Sequence, residues 1–130
     1  MISGSRKNMP KGYELTLEDR GDYIYAVVGG EKLTAQIAAA YWNEIAEECF
    51  EKDIRKIMIE KKFLKSVTPD EMLRMADHLG QLLPNRRIAF LDLFHHDDIN
   101  ELGKRLARNR DVMMQIFNNR EDAEKWLRAN

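Results

Sequence analysis

The stretch FLDLFHHDDIN contains the side chains best suited to chemistry, because two histidines follow an apolar run and precede two aspartates. His95 and His96, together with Asp92, Asp97 or Asp98, could coordinate a metal ion or transfer protons. Neighbouring residues of an extended chain point in opposite directions, so both histidines are not expected to face one site. Aspartate is also a preferred residue at the start of a helix. The stretch therefore predicts a strand end and an acidic helix start, with one histidine near the rim. No metal ligand is assigned, and a small metal-dependent enzyme using His95 or His96 is an alternative.

A second candidate site lies in FLKS, where Phe63 and Leu64 are surrounded by Lys61, Lys62 and Lys65 in a predicted loop after a strand. Apolar residues among lysines could make a peripheral contact with a membrane surface or close an apolar ligand pocket. Leu64 could equally cover the end of the core beneath the following helix. Both interpretations stay open.

Cations are concentrated in the stretch KRLARNR, near a predicted helix C-terminus. The helix dipole favours positive charge at that end, so a solvated helix end explains the stretch. Binding of an anion or an acidic partner is the alternative.

Hydrophobic periodicity assigns the elements that must position these side chains. YELTLE alternates and YIYAVVGG is a nearly continuous β-rich run, so the two predict an antiparallel hairpin. Apolar pairs four residues apart predict a helix over residues 34–52, and Thr68 with Pro69 predicts the start of a second helix. Further strands are predicted around residues 57–59, in RRIAFLDLF and in VMMQIF, each followed by a helix. The order β-β-α-β-α-β-α-β-α predicts an α/β fold with a five-stranded mixed sheet. Only the first strand should be antiparallel, and it should lie at an edge.

Length, charge, cysteine content and the longest apolar run limit the class of protein. A chain of 130 residues is expected to form one domain. There are 21 Lys and Arg against 22 Asp and Glu, a net charge of −1, which argues against a dedicated nucleic-acid-binding protein. A single cysteine, Cys49, excludes an intrachain disulfide and fits a reducing compartment. No apolar run reaches the roughly 18–20 residues that span a bilayer, and the N-terminus has no secretory-signal core.

A cytoplasmic protein without a transmembrane segment is therefore expected. Residues 1–12 are polar and contain Gly4, Pro10 and Gly12, which predicts a disordered or loosely ordered tail. Residues 13–130 are predicted to form the single domain.

Three stretches carry a resemblance to a known family: GYELTLEDRGDYIYAVVGGEKLT, IRKIMIEKK and GKRLARNRDVMMQIFNNREDAEKWL. Over residues 12–127 the chain resembles the SpoIIAA-like family, small bacterial proteins with the STAS-type fold that are compared with CRAL-TRIO lipid-binding domains. The resemblance implies strands that follow one another as turns of a β-α superhelix, and an activity that is largely uncharacterised. Anti-anti-sigma factors of the wider group carry a phosphorylated serine at the start of the corresponding helix. Here that loop reads FLKSVTPDE, so Ser66 is the implied position, without the Asp-Ser pair and following glycine of those proteins.

The two faces of the sheet lead to a further expectation. Crossovers that all run in one direction place the helices mainly on one side. The predicted strands nevertheless carry apolar residues on both sides, so the other face needs a cover. A homodimer or an apolar ligand would supply one.

Together these observations predict a non-enzymatic binding module. Its ligand is either an apolar or lipid-like small molecule or a protein partner, without a cofactor. The predicted ligand-binding residues are Phe63, Leu64, Ser66, His95 and His96. A regulatory protein phosphorylated near Ser66 is the first alternative, and the metal-dependent enzyme is the second.

Overall fold

The computed structural model describes residues 2–8, for which only the backbone is considered, and residues 12–129. It contains ten elements in an order that matches the predicted alternation of strands and helices after an additional first strand. Their bounds are β1 Ile2–Asn8, β2 Tyr13–Asp19, β3 Ile24–Lys32, α1 Ala35–Lys52, β4 Lys56–Lys65, α2 Pro69–Leu82, β5 Arg87–Asp92, α3 Asp97–Arg108, β6 Met113–Ile116 and α4 Arg120–Arg128.

The strands form one mixed sheet in which spatial order follows chain order, β1-β2-β3-β4-β5-β6. The pairs β1–β2 and β2–β3 are antiparallel, whereas β3–β4, β4–β5 and β5–β6 are parallel. The α/β fold class, the hairpin and the sequential parallel strands that the sequence predicts are therefore confirmed.

The sheet has one strand more than predicted. Ile2–Asn8 pairs with β2, for example Ser5 opposite Thr16, so β1 rather than the Tyr13–Asp19 strand forms the edge. The structure describes residues 2–8 of the predicted tail as this strand, whereas residue 1 and residues 9–11 lie outside the described residues. An edge strand is held by backbone hydrogen bonds to one neighbour and needs no apolar alternation, so its sequence gives little signal.

Three helices pack on one face of the sheet and form the main core. The buried side chains of α1 are Ala38, Tyr41, Trp42, Ile45, Ala46, Glu48 and Cys49, which include most of the predicted apolar face. The start of α2 is also as predicted: Thr68 and Glu71 form a capping box, and Pro69 occupies the first helical position. These three helices connect parallel strands in one direction, so right-handed crossovers place them together.

The fourth helix packs on the opposite face. Ala123 and Leu127 of α4 are fully buried in a second cluster with Tyr23, Met58 and Ala89 of the sheet. Because α4 follows the last strand, no crossover rule fixes its side. Helix α4 therefore covers part of the apolar sheet face for which the sequence predicts a second copy or a ligand. The homodimer stays a prediction, and less of the sheet face is left for it to cover.

Replacement of Leu127 with alanine tests this packing. Leu127 is fully buried against the sheet, so Leu127→Ala should lower the free energy of unfolding by about 2–5 kcal/mol. The measurement is the midpoint of urea unfolding. Leu73→Ala is the matched control, since Leu73 lies exposed on α2 and should change stability by less than about 0.5 kcal/mol. Equal losses in both variants would contradict the packing of α4.

Candidate functional site

A buried carboxylate organises the turn between β5 and α3. Asp92 Oδ1 accepts a hydrogen bond from Phe94 N at 3.0 Å. Its Oδ2 accepts from His96 N at 2.9 Å and from Asn100 Nδ2 at 2.8 Å, and contacts His96 Nδ1 at 2.9 Å. The side chain of Asp92 is only 6% exposed, so these donors replace the water that it loses. Asp92 thereby fixes the shape of the turn.

The same contacts determine the ionisation of Asp92. Burial opposes the charged form, but the hydrogen bonds from Asn100, His96 and Phe94 outweigh burial and hold the pKa of Asp92 below its ordinary value. Asp92 is therefore an anion at neutral pH, and its charge is compensated inside the turn.

His96 links this turn to the end of the neighbouring strand. Its Nδ1 faces the carboxylate of Asp92, and its Nε2 lies 3.2 Å from the carbonyl oxygen of Leu64. A carboxylate and a carbonyl both accept hydrogen bonds, so both contacts are hydrogen bonds at once only when the ring carries two protons. His96 thus acts as a strap between β4 and the start of α3.

His95 lies on the other side of the turn. It adopts a left-handed backbone conformation with φ 55° and is exposed. It lines an open groove of about 400 Å³ together with Leu93, Phe117 and Arg120. The structure therefore does not bring the two histidines into one site. Among residues 12–129, no group of three or more His, Cys, Asp and Glu side chains is arranged to hold a metal ion.

The first three residues of the predicted FLKS loop, Phe63 to Lys65, belong to a strand. β4 continues to Lys65, because Gly30 and Lys32 of β3 pair with Phe63 and Lys65. Phe63 is buried and its ring lies 6.3 Å from that of Tyr41, so it is a core residue out of reach of an external ligand. Leu64 is 59% exposed on the other side of the strand. The lysines of this stretch favour the prediction of a loop, although β4 continues through it.

Ser66 lies between the end of β4 and the start of α2 and is half-buried. Its neighbour Lys65 is paired with Lys32 across the sheet. Nothing in this geometry tests its phosphorylation, which stays a prediction.

Lys61 is the residue of this region that the sequence interpretation missed. It is 7% exposed and lies on the helix side of β4, in phase with Ile57 and Ile59. Its Nζ is 5.0 Å from the centre of the Phe90 ring and 5.9 Å from that of Tyr41. Burial lowers the pKa of Lys61 to about 8, and the charge of Asp92 opposes that shift. The alternation of KIMIEKKFLK carried the signal, since every second residue of a strand faces the same side.

A small cavity adjoins Lys61. It has a volume of about 40 Å³ and its lining includes Trp42, Met72, Met75 and Asn100. A buried ammonium group beside an apolar space is costly, and perturbed titratable groups of this kind are concentrated at functional sites. The C-terminal edge of β4 and β5 is therefore the candidate site. It combines Lys61, Asp92, the His96 strap and an exposed rim.

The chain has a SpoIIAA-like α/β fold, in which the strand ends and the helix starts converge on one edge. No model of a known family and no curated protein matches the chain. Several solved structures match this chain, and two of them, which match nearly its whole length, show its fold.

The first is described as an anti-sigma factor antagonist from Mycobacterium paratuberculosis, with a TM-score of 0.61 and 11% identity over 92% of this chain and 97% of that one. The second is an uncharacterised protein of the DUF3478 family with a SpoIIAA-like fold from Shewanella loihica PV-4, with a TM-score of 0.55 and 17% identity over 89% of this chain and 94% of that one. In the described part of this chain, no helix is long and apolar enough to cross a membrane.

The hydrogen bonds to Asp92 predict an acid-dependent stability. A pKa that is lower in the folded state stabilises the protein above the unfolded value of about 3.9, and this contribution is lost as the pH falls through the folded pKa. Asp92→Asn should therefore cost about 1–3 kcal/mol at pH 7, and the difference from the unmodified protein should shrink below about pH 4. Urea unfolding between pH 3 and pH 7 measures it. Asp98→Asn, an exposed change in the same helix start, is the control, and an equal effect there would contradict the network.

The burial of Lys61 predicts that the stability of the protein rises with pH in the alkaline range. The unfolded chain holds the proton up to about pH 10.4, whereas the folded pKa of Lys61 is about 8. Between these values the unfolded state binds more protons, so stability should rise with pH. Lys61→Met should remove that rise and stabilise the protein by about 1–3 kcal/mol at pH 7.

The comparison is made by urea unfolding at pH 7 and pH 9.5. Lys62→Met is the matched control, because Lys62 is adjacent and exposed. If Lys61→Met destabilises the protein at pH 7, its ammonium group makes a favourable contact instead.

Proposed function

We propose that this protein is a non-enzymatic interaction module that binds a protein partner at the C-terminal edge of its sheet. The observation that carries the proposal is an exposed group of large apolar side chains at that edge, Leu64, Leu93 and Phe94, hereafter the edge cluster. Their exposed fractions are 59%, 54% and 44%. Leu64 lies near the end of β4, and Leu93 and Phe94 directly follow the neighbouring strand β5. Exposed apolar residues grouped at one edge are typical of protein–protein contact sites.

The backbone under the edge cluster is fixed. Leu93 N donates to Lys61 O at 3.0 Å, and Phe94 N donates to the carboxylate of Asp92 at 3.0 Å. The carbonyl of Leu64 contacts the ring of His96. A surface that is already ordered loses little conformational entropy when a partner binds, which favours affinity. The Asp92 and His96 network therefore supports binding by holding the backbone of these three residues in place.

Charged side chains surround the edge cluster. Lys62 and Lys65 are exposed on the β4 side, and Asp97 and Asp98 are exposed at the start of α3. An apolar centre with a polar rim is the usual arrangement of a protein–protein interface, and opposite charges on its two sides favour one orientation of the partner.

A protein partner agrees with the available space better than a lipid does. The small cavity beside Lys61, of about 40 Å³, is far below the roughly 300–1,000 Å³ of small-molecule sites. The groove beside His95 is larger, but its lining includes Glu60, Asp92, Asn118 and Arg120, and such charged and polar groups do not suit an apolar ligand. One fold neighbour is named as an anti-sigma factor antagonist, a class of protein that acts on another protein.

Retention of partners by the immobilised protein tests the proposal. The double variant Leu64→Ser/Phe94→Ser removes two members of the edge cluster without touching the buried network. Loss of two apolar side chains that become buried in a complex typically lowers its affinity by about tenfold to a hundredfold or more. Proteins from a lysate of the source organism are therefore expected to be retained by the unmodified chain and lost from this variant, as quantified by mass spectrometry.

The matched control is Phe50→Ser/Met113→Ser. It removes two apolar side chains with similar exposed fractions, 53% and 52%, whose chain positions are the end of α1 and the start of β6, away from the edge cluster. This variant should retain the same proteins as the unmodified chain. If both variants retain the same set, or the unmodified chain retains none, the edge cluster is not a partner-binding surface. Urea unfolding midpoints confirm that all variants are folded.

A further inference from the structure

A groove of about 790 Å³ lies at the opposite edge of the sheet, where β4, β5 and β6 begin. It is hereafter the basic groove. Lys56 of β4, Arg87 of β5 and Met113 of β6 lie side by side in its floor, because they are paired across the sheet. Arg55, Arg86 and Arg108 complete a set of five cations, and Asp111 is the only carboxylate among the described lining residues. Arg108 comes from the cationic stretch KRLARNR, which the edge cluster does not use.

The cations of the basic groove form no close ion pair within the described residues, and the acidic influence on Lys56 is that of Asp22, whose pKa Lys56 helps to lower. Four arginines elsewhere, Arg20, Arg110, Arg120 and Arg128, each form an ion pair with a carboxylate. Within the described residues no such pair involves any of the five cations of the groove. The other arginines without one are Arg74 and Arg105, both exposed and outside the lining. Four of the six unpaired arginines in this part of the chain therefore converge on one groove.

Backbone carbonyls hold the guanidinium groups in place. Arg55 donates to Asn85 O at 3.3 Å, Arg86 to Pro84 O at 3.1 Å, Arg87 to Ala129 O at 2.6 Å and Arg108 to Met114 O at 2.9 Å. These bonds fix position without cancelling charge, and each arginine has further N–H groups to donate.

Two aromatic rings and two unsatisfied donors add to this arrangement. Arg87 lies 4.4 Å from the centre of the Trp126 ring, and Arg86 lies 5.5 Å from that of Phe50. The Nε atoms of Arg86 and Arg87 are buried and have no hydrogen-bond partner. Buried donors are normally satisfied, and these two belong to side chains that line the groove.

The helix ends at this edge do not neutralise the cations. α1, α2 and α3 all end there, and each contributes about −0.5 elementary charge at its C-terminus. The five cations and one carboxylate of the groove carry a net positive charge that is larger than the negative charge of the three helix ends. The helix ends explain why cations are tolerated at this edge, but they leave a positive groove.

We infer that the basic groove binds a small molecule carrying two or more phosphate groups. Arginine forks match phosphate oxygens in two-point hydrogen bonds, and a phosphate offers more charge and more acceptors than a carboxylate. The volume is that of a small-molecule site, and the overall charge of −1 disfavours a long nucleic acid. This site is independent of the proposed partner binding, since the two lie at opposite ends of the parallel strands.

Calorimetric titration with inorganic tripolyphosphate tests the inference. The unmodified chain should bind one equivalent at low salt, and affinity should fall as salt rises because the contacts are charged. Arg55→Gln/Arg108→Gln removes two exposed guanidinium groups of the groove and should weaken binding by at least about tenfold. Arg74→Gln/Arg105→Gln removes the same charge from the two unpaired arginines outside the groove and should change affinity less than about twofold.

Three results would overturn the inference. One is the absence of binding to the unmodified chain, and another is an equal loss in the two double variants, which would indicate a net-charge effect. The third is equal affinity for citrate at the same pH and salt, which would exclude selection for phosphate. Circular dichroism and urea midpoints establish that both variants are folded, so a loss in the groove variant alone is a loss of contacts.

Discussion

The pleat of β4 is the constraint on which the other features depend. This strand lies between β3 and β5 and has helices over both of its faces, so its side chains alternate between two cores. Ile57, Ile59 and Phe63 enter the main core, while Met58 enters the second cluster. Lys61 falls in the same phase as the isoleucines and is buried for that reason. Leu64 falls in the opposite phase, beyond the reach of α4, and is exposed. A single strand thus produces both the buried amine and an exposed member of the edge cluster.

Parallel strands separate the chemistry of the two edges. Every strand from β3 to β6 ends at the same edge, and α1, α2 and α3 begin there. Acidic and capping side chains such as Asp97 and Thr68 are favoured at those helix starts. The helices end at the other edge, where cations are favoured, and this is where Arg55, Arg86 and Arg108 lie. The fold therefore accounts for the sign of charge at each edge. It does not account for the exposed apolar residues at one edge or for the unpaired arginines at the other, and these are the features that indicate binding.

The elements that the sequence predicts correctly are those whose pattern is local. The hairpin, the apolar face of α1 and the capping box at Thr68 each follow from residues within a few positions of one another. The divergence of His95 and His96 also follows from the geometry of adjacent residues. The features that were missed depend on distant contacts: β1 is held by the backbone of β2, the last residues of β4 by that of β3, and the side of the sheet that α4 covers by an apolar patch assembled from three strands. The charge of Lys61 predicts exposure, whereas its position in the alternation of β4 predicts the burial that the structure shows.

The buried position of Lys61 relates the fold to the candidate site. An apolar side chain of similar length would fill the same space at lower cost, because no charge would have to leave water. Lys61 lies directly beneath the edge cluster: its carbonyl accepts from Leu93, and Asp92, whose charge opposes the shift in its pKa, holds the turn that carries Phe94. Asp92 in turn needs Asn100 and His96 to remain charged in a buried position. The polar groups under the edge cluster therefore form one connected set, in which each charge is tolerated because of the next. Such a set holds the backbone that carries three exposed apolar side chains in one arrangement, and a preorganised backbone of this kind lowers the entropic cost of the partner binding proposed for this edge.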